Sequence, residues 1–299
     1  MKNKNVVILG AGRIGRALAK VLGKAGNNIE LWDVKPGLVR RQKKLVDIIP
    51  SADFIFICVP SSALRIAIKS IKPYLSKKAV IVSPSKGIEK GRKKTVDQIL
   101  TNALPVNQEC VVLGGAMMAE DMVRGRMAVG VAAAKKISTA TKVKNLFKDT
   151  IIIIESSSDF YGVAISGVLK NVYAIALGVA DGLRWGSNAK GFLTAQAINE
   201  MSGIVKALGG QSNTAFGQAG LGDLITTGFS KDSHNRQYGQ KLARTGHCSI
   251  SAEGCVSVGS VVFLLGKRSK NYPLLVAVNS AVNGRQNVTK AFKQFLAQY

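Results

Sequence analysis

The sequence predicts two successive architectures: a parallel, doubly wound α/β sheet first, then an all-α carboxy-terminal domain. Three observations carry this. Short apolar runs alternate with amphipathic stretches through the first half of the 299 residues. A glycine-rich turn sits where the first strand hands over to the first helix. From about residue 160 the strand signals fade and helical spacing takes over. The expected domains are therefore 1–158 and 159–299, with the boundary in "SSSDF".

The stretch "NVVILGAGRIGRALAKVLGKAGNNIELWDV" reads as strand, turn, helix and strand. Val6 to Leu9 form the first buried run, and Ala17, Leu18, Val21 and Leu22 recur at helical spacing. Between them Gly10-Ala11-Gly12-Arg13-Ile14-Gly15 is a G-x-G-x-x-G. The first glycine allows the tight turn, the second lets backbone approach a pyrophosphate, and the third lets helix pack on strand. The helix N-terminus attracts the phosphate charge. With a strand before it, a helix after it and an acid about twenty residues further on, the motif reads as a Rossmann-type dinucleotide site. Ile29 to Trp32 form the second strand and end in that acid, Asp33. A carboxylate there accepts hydrogen bonds from the adenosine ribose and repels a 2′-phosphate, so NAD is favoured. The nearby Lys35 leaves NADP open.

The alternation continues through "DFIFICVP" as a strand and "SSALRIAIKSI" as a helix with Ser61 or Ser62 as cap. "AVIVSPSKGIE" is a strand running into a loop with Lys86, and "ECVVLGGAMMAED" runs from a strand into a second glycine turn. "MAVGVAAA" and "IIIIE" add strands on either side of a helix-like 137–147. In a doubly wound sheet ligands sit beyond the carboxyl ends of the strands, where Gly12, Pro60, Lys86 and Gly115 fall. Helices are expected over 161–183, 189–208, 233–245, 257–266 and 272–282. The sequon-like "NVT" at 287–289 carries no meaning in a cytosolic chain.

Composition narrows the class. At 46 % hydrophobic residues the chain supports a sizeable core. No apolar run reads as long and uninterrupted enough to span a bilayer, and the start lacks a signal peptide's cleavage region, so a cytoplasmic protein is expected. Cys58, Cys110, Cys248 and Cys255 form no framework, and only His234 and His247 are present, so no metal site is expected. The net charge of +25 is spread over both halves. "RRQKK" and "KGRKK" lack interleaved aromatics and match no nucleic-acid motif, which argues for a solvated basic surface that draws in small anions rather than for nucleic-acid binding.

Lys170 and Asn171 interrupt the apolar stretch "FYGVAISGVLKNVYAIALGVADGL", and a buried ammonium is costly unless paired or deprotonated. Here the chain resembles the NAD(P)-dependent glycerol-3-phosphate dehydrogenases. The resemblance lies in "SGVLKNVYAIALGVADGL", "AGLGDLITTGFSKDSHNRQYG" and "SKGIE", and extends from "LGAGRIGRALA" through "SAEG" to "YPLL". It implies hydride exchange between nicotinamide C4 and a carbonyl carbon, converting dihydroxyacetone phosphate to sn-glycerol 3-phosphate for glycerophospholipid synthesis. It further implies Lys170 as the catalytic proton donor and acceptor, and a lysine on a mainly apolar helix is expected to have a lowered pKa that suits this relay. Asp223 becomes a substrate-site residue orienting the hydroxyl or the ammonium, and Lys86 a lysine between cofactor and substrate. Gly115, Asn171, Thr227, Ser233, His234, Asn235 and Arg236 become substrate-binding candidates. Gly10, Gly12, Arg13, Ile14, Gly15, Asp33, Pro60, Lys86, Ala119 and Glu253 become cofactor-binding ones. Homodimers are usual in families that look like this.

Three departures stand out. The family's S-G-P-x-x-A is Gly114-Gly115-Ala116-Met117-Met118-Ala119 here. His234 stands where the family's phosphate-gripping arginine belongs, and imidazole cannot make that bidentate fork. Arg13-Ile14 replaces a pattern that commonly carries tryptophan before the last glycine. The cofactor site and proton relay look intact while the anion grip is altered, with Arg236 or Lys231 as compensating cations. The alternatives are a related two-domain reductase of another 2-keto or hydroxy compound, and a basic nucleotide-sensing or nucleic-acid-binding protein on the same scaffold.

Overall fold

The computed structural model describes residues 3–299. The chain divides into two compact units, one running to Glu89 and resuming over Lys94–Ala164, the other formed by Ile165–Tyr299 with the short loop Lys90–Lys93.

The first unit alternates strands and helices: β1 (Asn5–Leu9), α1 (Arg13–Lys24), β2 (Asn28–Trp32), α2 (Leu45–Ile48), β3 (Phe54–Ile57), α3 (Ser61–Ile71), β4 (Val80–Ser83), α4 (Val96–Ala103), β5 (Cys110–Gly114), α5 (Ala119–Val123), β6 (Ala128–Ala133), α6 (Ile137–Leu146) and β7 (Ile152–Ser157). The strands form one sheet in the order β2-β1-β3-β4-β5-β6-β7. The chain leaves β1 toward β2 on one side and returns to β3 on the other, so a switch point lies beside β1. Strands β1 to β5 are parallel, but β6 pairs antiparallel with β5 and parallel with β7. The expected parallel, doubly wound sheet is thus found, with one antiparallel pairing that turns its last two strands the other way. The link from β5 to β6 contains only the five-residue α5 in place of a full crossover helix.

Strands β3 and β4 are buried at every residue, as a sheet covered on both faces requires. Their core partners come from α1 and α6; Phe56 meets Phe147 edge-on with ring centroids 6.0 Å apart. Helix α3 starts at Ser61, with Pro60 as its cap position and no side-chain cap, so neither Ser61 nor Ser62 caps it.

The second unit is built around α7 (Phe160–Gly182), whose first turn still belongs to the first. Around it lie α8 (Gly186–Ala207), α9 (Asp223–Phe229), α10 (His234–Thr245), α11 (Glu253–Leu265), α12 (Pro273–Val282) and α13 (Val288–Leu296). Helix α7 is apolar on all sides and is buried accordingly. Its length and mean hydropathy of 1.7 match those of a membrane span, against the expectation that no run qualifies, but its apolar window is wholly enclosed by protein. Other helices approach it closely: a Cβ on Gly178 would stand 2.1 Å from the Arg236 carbonyl oxygen, so only glycine fits there. Buried Glu200 accepts from the Tyr173 hydroxyl at 2.7 Å and from the Leu274 and Leu275 amides at 2.7 and 2.9 Å, tying α8 to α7 and capping α12.

Helix α9 and helix α13 were not anticipated, and α11 begins four residues earlier than its apolar spacing suggests. Asn287, the first residue of the sequon-like triplet, caps α13 by accepting the Thr289 and Lys290 amides.

Candidate active site

In the first unit the candidate site is made mostly of backbone. Gly10 has φ +101° and a Cβ there would lie 2.5 Å from the Cys58 carbonyl oxygen. A Cβ on Gly15 would lie 1.9 Å from the Gly10 carbonyl oxygen, whereas one on Gly12 would meet nothing within 4 Å. The first and third glycines are thus demanded by close packing, and the second leaves an open cradle that a side chain would fill. Helix α1 starts immediately after it with no side-chain cap and no acid in its first turn, so its N–H groups are left for an anion. This set fits a dinucleotide diphosphate.

Asp33, after β2, is clamped at four points. Its carboxylate accepts the Ala11 amide at 2.7 Å and the Lys35 amide at 2.8 Å. The side chain of Gln42 accepts the Asp33 amide at 2.8 Å and donates to its carbonyl at 2.9 Å. Arg16 adds a second tie, its guanidinium donating to the carbonyls of Ala11 and Leu38. Gln42 and Arg16 were missed because nothing in their spacing marks them; only the folded loop brings them to the glycine turn. Arg13 is exposed and pairs with Glu120 at 2.8 Å. Ile14, beside it in the first turn of α1, packs against the core.

Pro60, Lys86 and Gly115 follow the carboxyl ends of β3, β4 and β5, which share one edge of the sheet with the glycine turn. Lys86 Nζ donates to the Gly115 carbonyl at 2.7 Å, joining two of these loops. Gly115 has φ +98°, and a Cβ would stand 2.7 Å from the Val129 carbonyl oxygen. The glycine that survives from the family's turn is thus the one that the backbone requires. Met117 is buried in the core and Ala119 opens α5.

The second unit holds a site of a different kind. Lys170, only 7 % exposed, lies in mid-α7 with its ammonium 3.0 Å from Asp223 Oδ1 and donating to Thr227 Oγ1 at 2.7 Å. Asp223 and Thr227 are four residues apart on α9, hence on one face, and the Thr227 hydroxyl also lies 3.3 Å from Asp223 Oδ1. The buried ammonium is thus paired with a carboxylate.

Next to Lys170, Asn171 Oδ1 accepts from Asn235 Nδ2 at 2.9 Å, and Asn235 Oδ1 accepts the Gly254 amide at 2.9 Å. These amides lock α7, α10 and the start of α11 together. Glu253, first in α11, has its carboxyl pushed above the usual range by burial. Ser233 caps α10 by accepting the Arg236 amide at 3.3 Å, and His234 beside it is exposed. Arg236 is held elsewhere: its Nε donates to Asp181 at 2.6 Å, and Lys190 shares that carboxylate at 3.0 Å. Asp181 was not foreseen, since its role depends on three helices meeting.

The models for the carboxy- and amino-terminal parts of NAD-dependent glycerol-3-phosphate dehydrogenase match residues 159–293 and 36–140. A glycerol-3-phosphate dehydrogenase (NAD(P)+) of Clostridium tetani is 32 % identical over 285 residues, covering 88 % of this chain and 80 % of the relative. The chain belongs to the NAD-dependent glycerol-3-phosphate dehydrogenase family. The family member of Fusobacterium nucleatum is 30 % identical, covering 97 % and 96 % of the two chains. The crystal structure of glycerol-3-phosphate dehydrogenase from Coxiella burnetii superposes with a TM-score of 0.87 at 26 % identity, covering 98 % and 99 %. A ketopantoate reductase from Ralstonia eutropha gives a TM-score of 0.60 at 19 % identity, a likeness of fold alone. Family membership favours the dehydrogenase over the related-reductase alternative.

Proposed function

We propose that this glycerol-3-phosphate dehydrogenase relays the reaction's proton through Lys170, with Asp223 and Thr227 as the residues that position it. The chain is an NAD(P)-dependent oxidoreductase acting on CH–OH groups, interconverting dihydroxyacetone phosphate and sn-glycerol 3-phosphate. The nicotinamide cofactor, when bound, supplies the hydride in one direction and takes it up in the other. Hydride and proton together add across the substrate's C2 carbonyl, and the Lys170 ammonium supplies the proton as negative charge grows on the carbonyl oxygen. In reverse, the amine accepts the alcohol proton. The observation that carries the reading is a buried ammonium with its carboxylate at 3.0 Å and a hydroxyl at 2.7 Å. Such a group is held out of water and aimed by fixed contacts.

The clamped carboxylate of Asp33 supports NAD as the preferred cofactor. With Arg236 held by Asp181, the substrate phosphate is left to the exposed His234 at the start of α10, a weaker grip than a bidentate arginine. Cytoplasmic residence, a homodimeric state and a role in supplying the glycerol backbone of phospholipids belong to the same reading.

Initial rates with dihydroxyacetone phosphate and NADH test it. Lys170→Ala is expected to lower kcat by roughly a thousandfold while NADH binding is retained. Turnover within tenfold of wild type removes Lys170 from the chemistry. His234→Arg is expected to lower KM for dihydroxyacetone phosphate, and an unchanged KM shifts the anion grip to another cation.

A further inference from the structure

We propose that Glu120 is a built-in competitor for the cofactor's diphosphate, holding by ion pair the Arg13 guanidinium that the diphosphate takes over on binding. The inference rests on the dinucleotide reading above and concerns how tightly that ligand is held. Arg13 is the first residue of α1, at the helix end whose N–H groups no side chain caps. Its Nη1 lies 2.8 Å from Glu120 Oε1, with the two side chains 63 % and 28 % exposed.

The two partners differ in freedom. Glu120 sits in α5, whose Ala119 and Met122 belong to the same apolar core as Val21 and Leu22 of α1. Lys20 Nζ adds a hydrogen bond to the Val123 carbonyl at 2.9 Å, fixing the end of α5 to α1. The carboxylate is therefore anchored on a docked element, while the long, solvated arginine side chain can leave it. Arg16, one turn further along, is already committed to two backbone carbonyls of the glycine turn and the loop after β2. Arg13 is then the cation placed to move.

An exposed ion pair is held weakly, whereas a guanidinium on a phosphate makes charge-assisted, two-pronged bonds. The exchange thus runs toward the diphosphate, but breaking the ion pair offsets part of what the new contact contributes. Glu120 accordingly lowers the affinity for the dinucleotide, and it does so through Arg13.

The test is binding, independent of turnover. NADH titration by fluorescence and ADP-ribose titration by calorimetry compare the wild type, Arg13→Gln, Glu120→Gln and the double variant, each on the full chain at two salt concentrations. Glu120→Gln is expected to bind both ligands about threefold to fivefold more tightly, in keeping with a surface pair. Arg13→Gln is expected to bind about tenfold more weakly with a shallower salt dependence, and the double variant to match Arg13→Gln. Weaker binding by Glu120→Gln, or the same gain when Arg13 is absent, overturns the proposal and leaves the pair as a tie between α1 and α5. If the wild type binds neither ligand, the dinucleotide reading fails along with it. If it binds and Arg13→Gln is unchanged, only the competition fails.

Discussion

The glycine turn of the first unit and the Lys170 cluster of the second both manage charge, by opposite means. At the turn the chain offers backbone: uncapped N–H groups, a cradle kept open at Gly12, and glycines that permit close approach. Side chains such as Gln42 and Arg16 serve only to hold that backbone in shape. In the cluster, backbone is spent inside helices and the work falls to three side chains from α7 and α9. On the proposed function, the difference is between a receptor for a fixed anion and a store for a mobile proton. An anion is well served by rigid dipoles, whereas a proton requires a titratable group held away from water.

The comparison breaks most visibly at Asp223. Asp223→Ala strands the Lys170 ammonium in an apolar helix, so unfolding in urea is expected to show a loss of about 3 kcal/mol. kcat is expected to fall at least a hundredfold, while NADH affinity is expected to stay within twofold, because the backbone-built site does not use this residue. A matching loss of NADH binding denies that the two sites are separable. Next is Gly115→Ala, where positive φ and a backbone oxygen 2.7 Å from the added Cβ combine. A loss of about 2 kcal/mol is expected, together with a shift of the carbonyl that Lys86 binds. Full stability in thermal melts would show that the turn can relax.

Asp33→Ser sharpens the account of the turn. It is expected to weaken NADH binding about tenfold and to improve NADPH binding, with Lys35 and the arginines after it available to a 2′-phosphate. Unaltered discrimination between the two cofactors would assign preference to another residue. The smallest effect concerns Asp97 in the first turn of α4, whose carboxyl is pushed up to about 6 by burial. A raised carboxyl favours the folded state fully below the unfolded value, near 4, and that advantage disappears as pH rises through about 6. Asp97→Asn should therefore gain about 1 kcal/mol over the wild type at pH 7.5 and nothing at pH 4. Melting curves across that range decide it, and a gain independent of pH rules out titration as the cause.

The pattern of what could be read in advance follows the same division. The strand–turn–helix around Gly10 was legible because glycine spacing, apolar periodicity and a following acid are all local. So was the interest of Lys170, since a charge in an apolar run is visible without a fold. Its partner was legible only through the family motif "GLGDL", not from any rule of spacing across the 52 residues that separate them. Helix α9 went unseen because its glycine-rich approach reads as loop; it forms against α7, where packing outweighs propensity. The reversal of β6 was hidden for a similar reason, since a strand's apolar run carries no direction.

The sequence alone determined the alternating sheet, the nucleotide turn, the helical second half and the family to which the chain belongs. These depend on patterns within a few residues, or on motifs that survive as text. Tertiary structure alone decided that Arg236 is bound to Asp181, that Asn235 bridges three helices and that Arg13 rests on Glu120. Those are choices of partner among many cations, amides and acids. Distance in space settles such choices, and distance along the chain does not record it.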